Sequence, residues 1–296
     1  MTDTITWVDP DGATVTLHGG SDMFVVWNVS GRFSPPTRFE TDDIPDGDGA
    51  RLRAVHHGVR EFLLPVWVQA ATESALRTAI RTLISAMNPV RGDGRIQVTS
   101  SLGDQREIVC RVSAGLEGQE RIGDSSGVWA QMFPLMFRAH EPYWRDISDT
   151  VYGPIVVDAE PGTFFSDQFF PMQLADSEVF ASVTVTNSGD VEAWPVWTIT
   201  GPGESPLLRN LTTGKDLLLA DYTIAAGEVV TIDTRPDGPT RKTVVSSTVG
   251  SLFGRLSGTT SLWPLAPGAN AVTIEMAAAT DASAVSIARR HRYLAV

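Results

Sequence analysis

The sequence predicts a mainly β protein of two domains, an N-terminal β-rich domain with one helix and a hairpin and a C-terminal β-sandwich of jelly-roll type. Three observations predict it. Only one stretch of the 296 residues, 72–87 (TESALRTAIRTLISAM), repeats its apolar residues with a helical period. Short apolar runs of strand character fill most of the rest. From Val179 onward these runs follow one another at close intervals, separated by Asn, Asp, Gly and Pro turns, the pattern of an antiparallel sandwich.

The first strands are expected at Ile5–Val8, Ala13–Leu17 and Met23–Val29, divided by Asp9-Pro10-Asp11-Gly12 and Gly19-Gly20. Residues 31–50, rich in Pro, Gly and Asp, read as irregular, and 51–60 as a further strand. A strand over Glu61–Gln69 leads into the helix. There Leu76, Ile80, Leu83, Ile84 and Met87 form one apolar face for packing or an interface, and Arg77 and Arg81 lie opposite. Thr72 suits the N-cap, Glu73 the first turn, and Asn88-Pro89 the stop. Strands at Arg95–Thr99 and Glu107–Val112 make a hairpin around Leu102-Gly103-Asp104, and Trp129–Ala139 makes another strand beyond a polar excursion at 115–128.

The domain boundaries fall at 1–150, a linker at 151–178 with five acids, no base and two Phe pairs, and 179–296. Eight strands are expected in the last part: Phe180–Thr186, Ala193–Thr200, Leu207–Leu211, Lys215–Leu219, Glu228–Asp233, Lys242–Ser246, Ala271–Met276 and Ala284–Ala288.

Composition excludes several function classes. The net charge of −12 is spread evenly, with 14 Arg against 20 acids before residue 151 and 9 bases against 15 acids after it. Such a surface repels a phosphate backbone, so no nucleic-acid grip is expected. No apolar run approaches the ~18 residues of a membrane span, and the N-terminus has no signal-peptide pattern. The lone Cys110 allows no disulfide framework and no thiolate zinc site.

No chemistry-bearing motif survives inspection. Asp42, Asp43, Asp46 and Asp48 lack the Glu at the twelfth loop position of a calcium-binding EF-hand. His56 and His57 are adjacent and would point to opposite faces of a strand, and Trp144 stands where a zincin would need its second His. Gly123-Asp124-Ser125-Ser126-Gly127 has the letters of a nucleophile elbow without the strand and helix around it. No catalytic residue, metal ligand or cofactor is therefore expected. Trp194, Trp197 and Trp263 are either core residues, which their apolar surroundings favour, or a platform on which a glycan stacks.

One ordered series of phrases is more specific. Val185-Thr186-Asn187-Ser188-Gly189-Asp190, Ile199-Thr200-Gly201-Pro202, Asn210-Leu211-Thr212-Thr213-Gly214-Lys215, Thr231-Ile232-Asp233-Thr234 and 262–270 (LWPLAPGAN) occur in this order. With Pro45-Asp46-Gly47-Asp48-Gly49 and Pro142-Tyr143-Trp144 in the first half, the chain resembles the distal tail proteins (Dit, also minor tail proteins) of long, non-contractile-tailed siphovirus-type bacteriophages. The resemblance implies a virion protein without enzymatic activity, its first domain bearing a projecting hairpin and its second a galectin-like sandwich. It implies a homohexameric ring of N-terminal belt domains at the end of the tail tube, in contact with the tube protein and with tail-tip or adhesin proteins. DNA would pass through the lumen unbound, and assembly would take place in the bacterial host cytoplasm. The competing expectation is a carbohydrate-binding module that recognises host cell-wall glycan through the C-terminal sandwich.

Overall fold

The computed structural model describes residues 3–26, 28–118, 127–156, 179–236 and 241–296. The chain divides into two units, Met1–Ile147 with Tyr293–Val296, and Ser148–Arg292. The sequence boundary at 150 thus falls inside a strand of the second unit, and four residues from the end of the chain belong to the first.

The main sheet of the first unit is antiparallel, in the order Thr14–His18, Thr4–Val8, Gly94–Thr99, Gln105–Ala114, Ala130–Ala139, Arg60–Gln69 and Met23–Val25. Alternation of buried and exposed residues sets its register. Ile96 and Val98 face the core with Ile108 and Cys110, and Phe62, Leu64, Val66 and Val68 with Phe133, Leu135 and Phe137. Cys110 is a core thiol whose burial pushes its pKa upward, so it is protonated and inert.

The helix runs Glu73–Ala86, with the Thr72 hydroxyl accepting from the Ala75 amide at 3.2 Å. Its buried seam is Leu76, Leu83, Ala86 and Met87, with Ala79 and Ile80 packed at the margin. Ile84, expected in this seam, is 40% exposed. It sits one residue past Leu83 and is turned about 100° away, outside the width of the contact. Trp7 fixes the far end by donating its indole N–H to the Ala86 carbonyl at 2.9 Å. That bond satisfies one of the carbonyls a helix leaves open.

A buried cation ties three separate segments of this unit together. Arg60 donates to the carbonyls of Pro142 at 2.7 Å, Gly31 at 3.0 Å, Leu294 at 2.7 Å and Phe33. Burial without a carboxylate partner lowers its pKa to about 10, still far above neutrality. Gly31 is pressed against the same strand with φ +84°, and a Cβ there would lie 2.3 Å from the Glu61 carbonyl oxygen. Nearby, Arg106 donates to the Ala295 carbonyl at 2.6 Å and stacks 3.8 Å above the Tyr293 ring. The last four residues are therefore held by two arginines of the first unit.

The second unit is a sandwich of two antiparallel sheets. One runs Thr150–Val156, Ala284–Arg289, Val196–Thr200, Val229–Asp233, Thr243–Ser246 and Gly250–Ser251. The other runs Val179–Asn187, Gly268–Ala277, Gly203–Asn210 and Lys215–Leu218, with Thr223–Ile224 on Gly203–Asn210. Their inner faces share one core, with Ile199, Ile232 and Ile287 from the first sheet and Val185, Leu208 and Ile274 from the second. All eight strands expected here are present. Of the expected linker, 151–156 is strand, while 157–178 lies outside the described residues.

Candidate interaction surfaces

Residues 31–50, read from sequence as irregular, contain a strand over Thr37–Asp43 that pairs with Ala50–His57. Among the described residues, no strand of the main sheets joins this two-stranded ribbon. Phe39 lies opposite Val55, and Leu52 follows on the same face opposite Thr41. These side chains are exposed by 63%, 48% and 56%, and Ile44 at the turn by 46%. Charged side chains alternate with these, with Arg38 2.8 Å from Glu40 and Arg53 2.5 Å from Asp42. The base is anchored where His57 Nδ1 meets the Tyr143 hydroxyl at 3.0 Å. An isolated ribbon is marginal in water, and an apolar face on it marks a contact surface. Pattern reading missed the first strand because a ribbon with no core beneath it shows no apolar alternation.

The outer face of the helix is polar. Arg77 and Glu73 pair at 2.7 Å, and Arg81 is exposed. Residues 119–126, which hold most of the Gly123–Gly127 letters, lie outside the described residues.

In the second unit the three tryptophans part company. Trp197 and Trp263 are fully buried and meet edge to face at 5.2 Å, so neither can stack on a glycan. Both sit at inward positions of their segments, which makes them core. Trp194, three residues before Trp197, is partly exposed and lines an open groove of about 510 Å³ with Phe253, Leu256, Leu262, Lys242, Ser257, Thr260 and Ser261.

A polar cluster beneath the sandwich surface has a structural role. The Glu228 carboxylate accepts from the Tyr222 and Ser246 hydroxyls and from the Ala225 amide at 2.9 Å. Burial opposes its charge, but these donors outweigh burial and hold its pKa down to about 2. The depressed folded value stabilises the fold above pH ~4.5, and that contribution fades as pH falls toward 2. Glu228→Gln should therefore flatten the acid limb of the melting-temperature profile between pH ~4.5 and ~2. An unchanged limb would show the cluster is not what acid attacks first.

Three of the phrases that carried the family resemblance turn out to be turns clamped by buried amides. Asn187 Oδ1 accepts from the Gly189 amide at 3.0 Å and its Nδ2 donates to the Val191 carbonyl at 2.9 Å. Asn210 Oδ1 accepts from Thr212 and Thr213, and Asn270 spans Ala266 from both sides, accepting at 3.0 Å and donating at 2.8 Å. Each Asn pays its own desolvation by holding a chain reversal between sheet strands.

Comparison with known proteins agrees with this anatomy. Residues 188–293 match the family model of the siphovirus-type tail component, C-terminal domain. No curated protein matches the chain in sequence. Among solved structures it is similar to the Dit protein of phage SPP1, described as a paradigm of the hub adsorption apparatus in phages infecting Gram-positive hosts. That match has a TM-score of 0.66 at 16% identity and covers 99% of both chains. It is also similar to a chain of the phage P2 baseplate in its activated, calcium-containing conformation, with a TM-score of 0.51 at 9% identity over 100% of both chains. Residues 188–293 thus carry the match to the siphovirus-type tail component, C-terminal domain, and the chain as a whole shares the fold of the SPP1 Dit protein.

Proposed function

We propose that this protein forms a hexameric ring at the distal end of a phage tail tube, joining the tube to the baseplate or tip. The N-terminal unit supplies the ring, and the C-terminal unit carries or supports host-adhesion components. The observation that carries this reading is the likeness over 99% of the chain to a protein described as an adsorption hub. The ribbon of Phe39, Leu52 and Val55 supports it, because a ring gives every copy a neighbour on which to bury that face. Tube protein on one side and tip or adhesin proteins on the other are the remaining partners. DNA would slide through the lumen without specific binding, which a chain of net charge −12 favours. The reading assigns no catalysis and no cofactor.

Light scattering of the purified protein should give six times the 31.9 kDa chain mass. Phe39→Asp with Val55→Asp should leave a folded monomer, since both side chains are exposed in the single chain. A wild-type protein that stays monomeric at high concentration would sink the ring. A second reading, a carbohydrate-binding module, is favoured by one feature, the groove beside Trp194.

A further inference from the structure

We infer that the groove of Trp194 is a binding site for an acidic saccharide, a sugar carrying a carboxylate or other negative group. The inference rests on the proposed role of the C-terminal unit in host adhesion. Each wall contributes one part of what such a ligand requires. Trp194 and Phe253, the latter 49% exposed, offer aromatic surface to the C–H face of a pyranose, and Leu256 and Leu262 extend it. The Ser261 hydroxyl has no partner among the described residues and is open to a sugar hydroxyl.

Charge narrows the class of sugar. Among the described residues, Lys242 is exposed and makes no ion pair, and no Asp or Glu lines the groove. A lone ammonium on a chain of net charge −12 is a local attraction for an anion in an otherwise repelling field. The volume of about 510 Å³ lies within the range of small-ligand sites and suits about two sugar rings.

A peptide strand fits less well. The main-chain donors along this wall are already committed, Leu256 N–H to Phe253, Ser257 N–H to Leu218, Thr260 N–H to Ser257 and Ser261 N–H to Asp216. No open strand edge remains there for backbone pairing. The free groups are side chains, which is how a sugar is held.

The test is saturation-transfer NMR and calorimetry on the full chain with a panel of acidic and neutral disaccharides headed by digalacturonate and galactobiose. Digalacturonate should receive saturation from aromatic protons and bind about tenfold or more tightly than galactobiose. Trp194→Ala should weaken it about tenfold or more by removing the stacking face. Lys242→Ala, at an exposed position that cannot disturb the core, should abolish the preference for the acidic sugar. No transfer to any member of the panel, or an affinity for digalacturonate unchanged by Lys242→Ala, overturns the assignment. Mass measurement on the same samples reads the ring separately. Sugar binding can therefore fail while the hexamer stands, and the hexamer can fail while sugar still binds.

Discussion

Arg60→Met should lower the melting temperature of the N-terminal unit by roughly 10 °C, a loss of about 4 kcal/mol. The replacement fills a similar volume with apolar atoms and removes the cost of burying a charge. It also strips the donors from the carbonyls of Gly31, Phe33, Pro142 and Leu294. A buried acceptor left without a donor costs about 1–3 kcal/mol, and four of them outweigh the relief of desolvation. Arg60→Lys should recover only part of the loss, because a point ammonium cannot reach acceptors spread around a planar fork. Deleting residues 293–296 should reproduce part of the same loss, since it removes the Leu294 and Ala295 carbonyls from Arg60 and Arg106. Scanning calorimetry of the three variants decides the matter. A melting temperature for Arg60→Met within 2–3 °C of wild type, under ~1 kcal/mol, would show that water replaces the guanidinium at little cost.

Leu83→Asp should prevent the N-terminal unit from folding at all. Leu83 is fully buried between the helix and the sheet, and an unpaired carboxylate there costs several kcal/mol, comparable to the whole stability of a domain. Arg81→Ala, two residues away on the exposed face, should change stability by no more than ~0.5 kcal/mol. Circular dichroism reads folding and light scattering reads assembly for both. If Arg81→Ala is folded but monomeric, the polar face of the helix belongs to the ring contact. If Leu83→Asp melts and assembles like wild type, the helix does not pack as described.

Legibility followed burial. The helix was readable because Leu76, Leu83 and Met87 face one core and their spacing records that contact. Eight of the eleven described sandwich strands were readable because each turns alternate residues inward and stops at a turn residue. Ile84 could not be placed, since a sequence shows which residues are apolar but not how wide the surface beneath the helix is. The ribbon strand Thr37–Asp43 left no periodic trace, because both of its faces meet solvent in the single chain.

By itself the sequence determined the β class, the one helix and its cap, and the succession of turns. Among these are the Asn187, Asn210 and Asn270 reversals, on which the family resemblance rests. These features are local: a few neighbouring residues fix each, through side-chain periodicity or an amide bonded to its own turn. Tertiary structure alone decided that Trp197 and Trp263 are core while Trp194 borders a groove with Lys242 and Ser261. It alone brought residues 293–296 to Arg60 and Arg106, across sequence separations of 234 and 189 residues. Such contacts depend on which distant segments a closed core brings together, and no local pattern in the chain encodes them.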